Sequence, residues 1–316
     1  MSKECVLVTG ATGFVGKALL PKLLAAGFRI RAVSRSPVKA GRDAAAIEWQ
    51  SCSDIGDAPL EGCDTLIHLA ARVHVMRETE ADALAAFRRV NVDLAERLAR
   101  RAVAAGVRRF VFLSSIKVNG EETRPGRPFF ADDTPAPEDA YGVSKCEAEQ
   151  ALRRIAEETG MEVVVIRPPL VYGPGVKGNF RSMLDWLGRG VPLPLALLDN
   201  RRSFVGVDNL CDLILTCLTH PGAANQTFLV SDDQDLSTPE LIRMAADALG
   251  RPARLWPFPP ALLERLATLL RKGGTARRLC GNLQVDIGKT KSLLSWAPPV
   301  TAIEGLRRIF DERSAQ

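Results

Sequence analysis

The sequence predicts an α/β fold, a doubly wound parallel sheet with a smaller, mainly helical C-terminal lobe. Three observations carry that expectation. Short β-branched runs alternate with amphipathic stretches over the first half of the chain, a glycine-rich turn separates the first strand from the first helix, and the texture changes to proline and glycine after Arg167. Strands that alternate with helices pair in parallel, because each crossover helix must pack back onto one face of the sheet.

The first strand is expected over 5–9 and the first helix over 15–26, followed by strands over 29–34 and 65–69 and a long helix over 83–105. β-Branched and aromatic runs mark the strands, and apolar residues recurring with the helical period mark the helices. Further strands fit 110–114 and 163–167, with a helix over 142–159 between them. Beyond Arg167, PPLVYGPGVKGNF and VPLPLALLDN frame a helix over 180–188, where proline and glycine interrupt regular structure. A strand over 204–207 and a helix over 208–219 read as a return to the sheet, and 227–230 reads as one more strand. The expected division is 1–172 with 203–232 for the sheet domain and 173–202 with 233–316 for the lobe, with a ligand cleft between them.

A chain of 316 residues, 46% of them hydrophobic, can bury a large core. Its 42 basic and 37 acidic residues leave a formal charge of +5 without a Lys/Arg block or an acidic tail. That balance suits anionic small molecules and argues against nucleic acid. The seven cysteines, Cys5, Cys52, Cys63, Cys146, Cys211, Cys217 and Cys280, form no CxxC pair, and an odd number cannot all pair within one chain. Reduced thiols, no metal and a cytoplasmic location are the expectation. The N-terminus MSKECVLVTG enters a strand without the segments of a secretory signal, and no apolar run approaches the roughly 18 to 20 residues that cross a bilayer. The patch 261–270 reads as a domain-covering helix in preference to a membrane-surface one.

In VLVTGATGFVG, Gly10, Gly13 and Gly16 stand directly after the first strand and at the opening of the first helix. A tight turn, a close backbone approach to a pyrophosphate and close helix–strand packing each need glycine there. The helix N-terminus then offers free N–H groups and a positive dipole end to phosphate. The block TGATGFVG resembles the cofactor fingerprint of extended short-chain dehydrogenases and nucleotide-sugar epimerases of the NAD-dependent epimerase/dehydratase family, and the resemblance runs over nearly the whole chain. It implies a Rossmann domain in which Gly10, Thr12, Gly13, Phe14, Val15 and Gly16 surround an NAD(P) cofactor. It adds Asp54 and Ile55 beside the adenine, Leu69, Ala70 and Ala71 along the adenosine, and Asn91, Ser114, Pro168 and Leu170 to the cofactor set. The second strand ends AVSRSP, with Ser34 and Arg35 where an NAD site usually carries a carboxylate for the ribose 2′-hydroxyl. This favours NADP(H), with NAD(H) the alternative; Arg35 also reads as a solvated loop residue. Asn91 equally reads as a helix-surface amide.

In DAYGVSKCEAEQ, Tyr141 and Lys145 lie one helical turn apart on one face. A phenol is a poor base at neutral pH, and a nearby ammonium favours its phenolate. Tyr141 could then exchange a proton with a sugar hydroxyl or carbonyl while a nicotinamide exchanges hydride. FVFLSSIKVNG ends a strand with two serines at the carboxyl edge, where open α/β sheets bind ligands, although paired serines are also a plain turn signal. The family resemblance selects Ser115 as the catalytic hydroxyl, leaves Ser114 nearer the cofactor, and has Lys145 bind the nicotinamide ribose as well.

The same resemblance implies a UDP-sugar ligand. His74, in HLAARVHVM, would border the sugar or stand as a loop residue. Lys117 would follow the catalytic serine at the substrate. Lys177 and Asn179, in GPGVKGNF, and Arg202, in RRSFVGVDNL, would hold the diphosphate, and Val191 and Leu193 would pass over the uracil. Asp286, Lys289 and Trp296 in DIGKTKSLLSWAP would serve the lobe's fold, and the family's second phosphate-binding arginine has no clear counterpart near 281–285. Ile116 and Lys117 occupy the place where a dehydratase of the family has Asp and Glu, which argues against water elimination. HLAARVHVM, SSIKVNGE and RPPLVYGPGVKGNF together resemble the enzymes that reduce UDP-2-acetamido-2,6-dideoxy-4-hexulose for surface polysaccharide (O-antigen, lipopolysaccharide) precursors. That reductase is the leading expectation. A UDP-glucose or UDP-N-acetylglucosamine 4-epimerase is the alternative, and a non-catalytic NADP(H)-sensing module the remote one, since such a module would be expected to lose Tyr141 or Lys145. Pairing of the 83–105 and 142–159 helices between subunits, as in many relatives, would give a homodimer.

Overall fold

The computed structural model describes residues 4–38, 46–73, 82–269 and 279–314. Seven strands form one wholly parallel sheet: β1 (Cys5–Thr9), β2 (Arg29–Ser34), β3 (Ile47–Ser51), β4 (Thr65–His68), β5 (Arg109–Leu113), β6 (Glu162–Arg167) and β9 (Thr227–Leu229). The order is β3-β2-β1-β4-β5-β6-β9, so the direction of winding reverses between β1 and β4. In open α/β sheets that reversal leaves a crevice at the carboxyl ends of the strands. The central strands are buried on both faces. Val6 and Val8 of β1 join one core with α1 (Phe14–Ala25) and α6 (Val207–Thr219), whereas Cys5 and Leu7 join the opposite core with α3 (Leu94–Ala104) and α4 (Ala140–Thr159).

Three elements differ from expectation. Strand β3 has no counterpart in the sequence reading, because as an edge strand it buries only Ile47 and shows no apolar run. The expected helix 83–105 is instead α2 (Ala83–Arg88), a π-helical segment (Arg89–Asp93) and α3. Strand β8 (Arg202–Gly206) does not rejoin the main sheet. It lies between β7 (Leu170–Tyr172), which is parallel to it, and β10 (Asp235–Leu236), which is antiparallel, while β9 takes the position beside β6. Strand periodicity specifies which faces are buried but not which neighbour completes the hydrogen bonds.

A third core gathers α5 (Gly178–Gly188), α7 (Thr238–Ala248) and α10 (Ala302–Ser314) around Tyr172, Leu184, Ile242 and Leu306. Helix α8 (Pro260–Leu269) precedes a short α9 (Gly288–Leu294). The C-terminal signature makes structural bonds: the Asp286 carboxylate accepts from Gly288 N at 2.7 Å, Lys289 pairs with Asp132 at 2.6 Å, and Trp296 Nε1 donates to Asp212 at 2.7 Å. The seven cysteines are free thiols. Among the described residues no helix is long and apolar enough to cross a membrane.

Two buried polar groups fix the carboxyl edge of the sheet. Glu149, wholly buried on α4, accepts from Ser114 Oγ at 2.5 Å, from Arg167 Nε and Nη2 at 2.9 and 2.6 Å, and from Arg153 at 2.9 Å. Arg167 extends the network to Asn119 Oδ1 at 2.9 Å, and Asn119 donates to the Phe130 carbonyl at 2.8 Å. Between β1 and β4, Thr9 Oγ1 and His68 Nδ1 lie 2.7 Å apart, and burial pulls the His68 imidazole down to about 3.

Removing Arg167 leaves the buried Glu149 carboxylate with the more exposed Arg153 as its ionic partner, and breaking a buried pair in this way typically costs about 3–5 kcal/mol. Arg167→Leu is therefore expected to lower stability by that order in denaturant titrations, and Glu149→Leu combined with Arg167→Leu to recover a substantial part of the loss. His68 is neutral in the fold and takes up a proton near 6.5 when unfolded, so its contribution is present above pH 6.5 and is lost as pH falls toward about 3. Denaturation midpoints measured across that window are expected to slope less steeply for His68→Gln.

Candidate active site

The glycine turn is built as a phosphate cradle. Gly10 adopts φ +72°, and a Cβ there would lie 2.6 Å from Ala70 N and 2.8 Å from the Leu69 carbonyl carbon. Gly13 N donates to Gly10 O at 2.9 Å, and a Cβ on Gly16 would collide with the Gly10 carbonyl oxygen. Gly13 is the N-cap of α1 without a side-chain cap bond. The first-turn N–H groups of α1 are thus left for an external acceptor, which fits the pyrophosphate of a dinucleotide. Thr12 is exposed at the tip, whereas the Phe14 and Val15 side chains turn inward to the cores and leave their main chain at the helix opening.

Along the crevice, Ser34 donates to Ser36 O at 2.5 Å, and Arg35 is exposed with no partner among the described residues. Asp54 accepts from Gly56 N at 2.9 Å and pairs with Arg97, which holds its carboxyl below the usual range, and Ile55 packs beneath it. Leu69, Ala70 and Ala71 follow β4, half-buried against the glycine turn.

Ser115, Tyr141 and Lys145 come together at the ends of β5 and α4. Asp139 caps α4 by accepting from Gly142 N at 2.7 Å, which sets Tyr141 in the first turn. Burial pushes the Tyr141 phenol up to about 12; a hydrogen bond from the Ser115 side chain opposes this, and the Asp139 charge adds to it. Burial brings the Lys145 ammonium down to about 7, with the Glu149 charge opposing. Lys145 Nζ donates to Leu113 O at 2.8 Å and sits 4.4 Å from the centroid of Phe112. Phe87 of α2 meets the Tyr141 ring edge-on at 6.0 Å. The arrangement offers a phenol, an alcohol and a buried ammonium in one place, the set needed to move a proton at a substrate oxygen.

Several expected contacts are spent within the protein. The Ser114 hydroxyl points to Glu149 and not toward a cofactor, leaving only its main chain on that side. Asn91 is buried in the π segment: its Oδ1 accepts from Arg72 N at 2.8 Å and its Nδ2 donates to Arg72 O at 3.1 Å and Ser144 Oγ at 2.9 Å, so no amide atom is left for a ligand. Lys117 is neutralised by Glu121 at 2.7 Å and by Asp139. Leu193 is a core residue whose N–H and carbonyl bond Arg254 O and Trp256 N. Arg202 Nη1 donates to Gly281 O at 2.8 Å. Pro168 is buried and its carbonyl accepts from Ile116 N at 3.0 Å, while Leu170 is exposed on β7. Lys177 and Asn179 are exposed at the N-terminus of α5, which lacks a side-chain cap, and Val191 is exposed beyond its other end, where its N–H bonds Trp186 O at 3.1 Å. His74 lies outside the described residues.

Sequence reading missed Asp139, Phe87, Asn119, Glu149 and Arg167. Asp139 carried a readable signal, an aspartate at the N-cap position just ahead of Tyr141. The other four depend on contacts between distant segments.

Comparison with known proteins agrees with this geometry. Residues 6–231 match the NAD dependent epimerase/dehydratase family. A UDP-glucose 4-epimerase of Vibrio cholerae is 45% identical over 309 residues, covering 96% of this chain and 94% of that protein. Among solved structures, MoeE5 in complex with UDP-glucuronic acid and NAD is 26% identical with a TM-score of 0.76, covering 98% of this chain and 99% of that one. UDP-glucose 4-epimerase of Thermotoga maritima with UDP-glucose shares the fold at 21% identity and a TM-score of 0.78, covering 99% of this chain and 100% of that one. With its glycine cradle at the switch point of a parallel sheet, this chain belongs to the NAD dependent epimerase/dehydratase family and is an NAD-dependent enzyme.

Proposed function

We propose that the protein is a UDP-hexose 4-epimerase, acting on UDP-glucose or its N-acetylated counterpart. The observation that carries the reading is the approach of the Ser115 side chain to the Tyr141 phenol, where it favours the phenolate, one helical turn from the buried Lys145. NAD bound in the cradle supplies a hydride acceptor and donor for C4. Tyr141 takes the proton of the sugar 4-hydroxyl as C4 is oxidised and returns it when C4 is reduced from the opposite face, with Ser115 hydrogen-bonded to the same oxygen. Burial keeps the Tyr141 phenol protonated at neutral pH, so the Lys145 ammonium has to favour the phenolate. Lys177 and Asn179, exposed at the start of α5, bind the diphosphate and Val191 flanks the base. Neutralisation of Lys117 by Glu121 and Asp139, beside the apolar Ile116, supports redox chemistry at one carbon over elimination of water.

The sequence reading ranked a 4-keto sugar reductase first. The Vibrio cholerae relative and the NAD complexes among the solved structures support the epimerase and NAD(H) instead. One observation still favours the reductase with NADP(H): the exposed, unpaired Arg35 at the end of β2, with no carboxylate at that position.

Tyr141→Phe deletes the proton path without disturbing the cradle. Its expected effect is a loss of turnover of about 10²–10⁴-fold with cofactor content unchanged, measured by interconversion of UDP-glucose and UDP-galactose; turnover like that of the unsubstituted protein would refute the assignment. Denaturing the purified protein and identifying the released nucleotide separates the two chemistries. Near-stoichiometric NAD(H) is expected for an epimerase that recycles its cofactor, whereas empty protein that prefers NADPH in titration would support the reductase.

A further inference from the structure

We propose that the face formed by residues 186–197 and 251–269 docks on an anionic lipid surface. Eleven large apolar side chains are exposed among the described residues, and six of them, Trp186, Val191, Leu197, Trp256, Leu262 and Leu269, come from these two segments. Leu269 is 79% exposed, and Trp186, Leu197, Trp256 and Leu262 are each close to half exposed. Residues 193–196 and 254–256 are joined, with helix α8 following directly: Leu193 N donates to Arg254 O at 2.8 Å, Trp256 N to Leu193 O at 3.1 Å and Ala196 N to Trp256 O at 3.3 Å. Phe258 packs edge-on against Trp256 at 5.5 Å.

Charge separates this face from an ordinary apolar patch. Residues 186–197 and 251–269 contain four arginines, Arg189, Arg251, Arg254 and Arg265, and a single carboxylate, Glu264. They carry a net +3 of the chain's formal charge of +5. More than half of the positive excess therefore lies in the two segments that also expose the tryptophans and leucines. Arg189, Arg251, Arg254 and Arg265 are exposed beside the apolar side chains. Tryptophan and leucine enter the headgroup and acyl boundary while arginine pairs with lipid phosphate, and this combination defines interfacial attachment. Aliphatic side chains such as Leu197, Leu262 and Leu269 gain nothing on nucleic acid, which favours a lipid surface as the partner of this basic face. Attachment is peripheral, since no described helix is long and apolar enough to span. It stands whichever sugar reaction the site performs.

The test is co-sedimentation of the full chain with phosphatidylcholine vesicles and with the same vesicles containing phosphatidylglycerol, together with tryptophan emission. The expected result is binding and a blue shift with the anionic vesicles alone, weakened by salt. Arg251→Gln combined with Arg254→Gln should lower partitioning by roughly fivefold per arginine. Trp256→Ser combined with Leu269→Ser should abolish the blue shift while NAD binding is retained; should that pair fail to fold, the arginine pair decides. Absence of vesicle binding, or binding unchanged in both variant pairs, overturns the proposal. So does a concentration-dependent dimer that the same substitutions dissociate without any vesicle binding, which would make the face a contact between two copies of the chain.

Discussion

A carboxylate with no exposure to water, Glu149, receives hydrogen bonds from β5, β6 and α4 itself. Those elements carry Ser115, Pro168 and the Tyr141–Lys145 pair, so the relative position of the reactive groups is referred to one buried anion. Burying a carboxylate is costly unless its lone pairs are filled, and here the Arg167 fork and the Ser114 hydroxyl fill them. The same charge acts at Lys145 one turn away, where it opposes the effect of burial on the ammonium. Structural anchoring and electrostatic support of the site thus come from a single group. Through Arg167 and Asn119 the network also reaches the main chain of Phe130, in the loop that leads from Ser115 to Tyr141.

On the other side of Lys145, the Phe112 ring faces the ammonium at 4.4 Å while His68 stacks on it at 5.8 Å. An aromatic face attracts a cation without neutralising it. His68 stays uncharged because it is wholly buried, and therefore adds no second positive charge beside Lys145. Lys145 is in this way held by Leu113 O, Phe112 and a distant carboxylate, none of which removes its charge by direct ion pairing.

The loop that leads from Ser115 to Tyr141 is hydrogen-bonded to residues 282–286 near the C-terminus. Thr123 N and Phe129 N donate to Asn282 O and Gln284 O, and Asp286 N returns to Phe129 O. The same stretch bonds β8 on its other side, through Ser203 N to Leu283 O and Leu283 N to Arg201 O. Residues 282–286 therefore form an extended strap between the loop ahead of Tyr141 and the strand that begins with Arg202. Motion of that strand relative to the sheet cannot leave the loop undisturbed, which couples the start of β8 to the geometry around Tyr141.

Sequence by itself determined the parallel doubly wound sheet, the glycine turn and the shared face of Tyr141 and Lys145, because each is written in local spacing: strand and helix periods, a turn that only glycine can make, and two residues one helical turn apart; the choice of Ser115 over Ser114 rested on the family resemblance. Tertiary structure alone decided the partner of β8, the edge strand β3 and the inward use of Asn91, Ser114, Lys117 and Leu193. A polar side chain reads the same in sequence whether it faces a ligand or a buried neighbour. Only the folded chain brings Glu149 within hydrogen-bond reach of Ser114, 35 positions away, or Asn91 within reach of Ser144, 53 positions away, and so fixes which polar groups remain for chemistry.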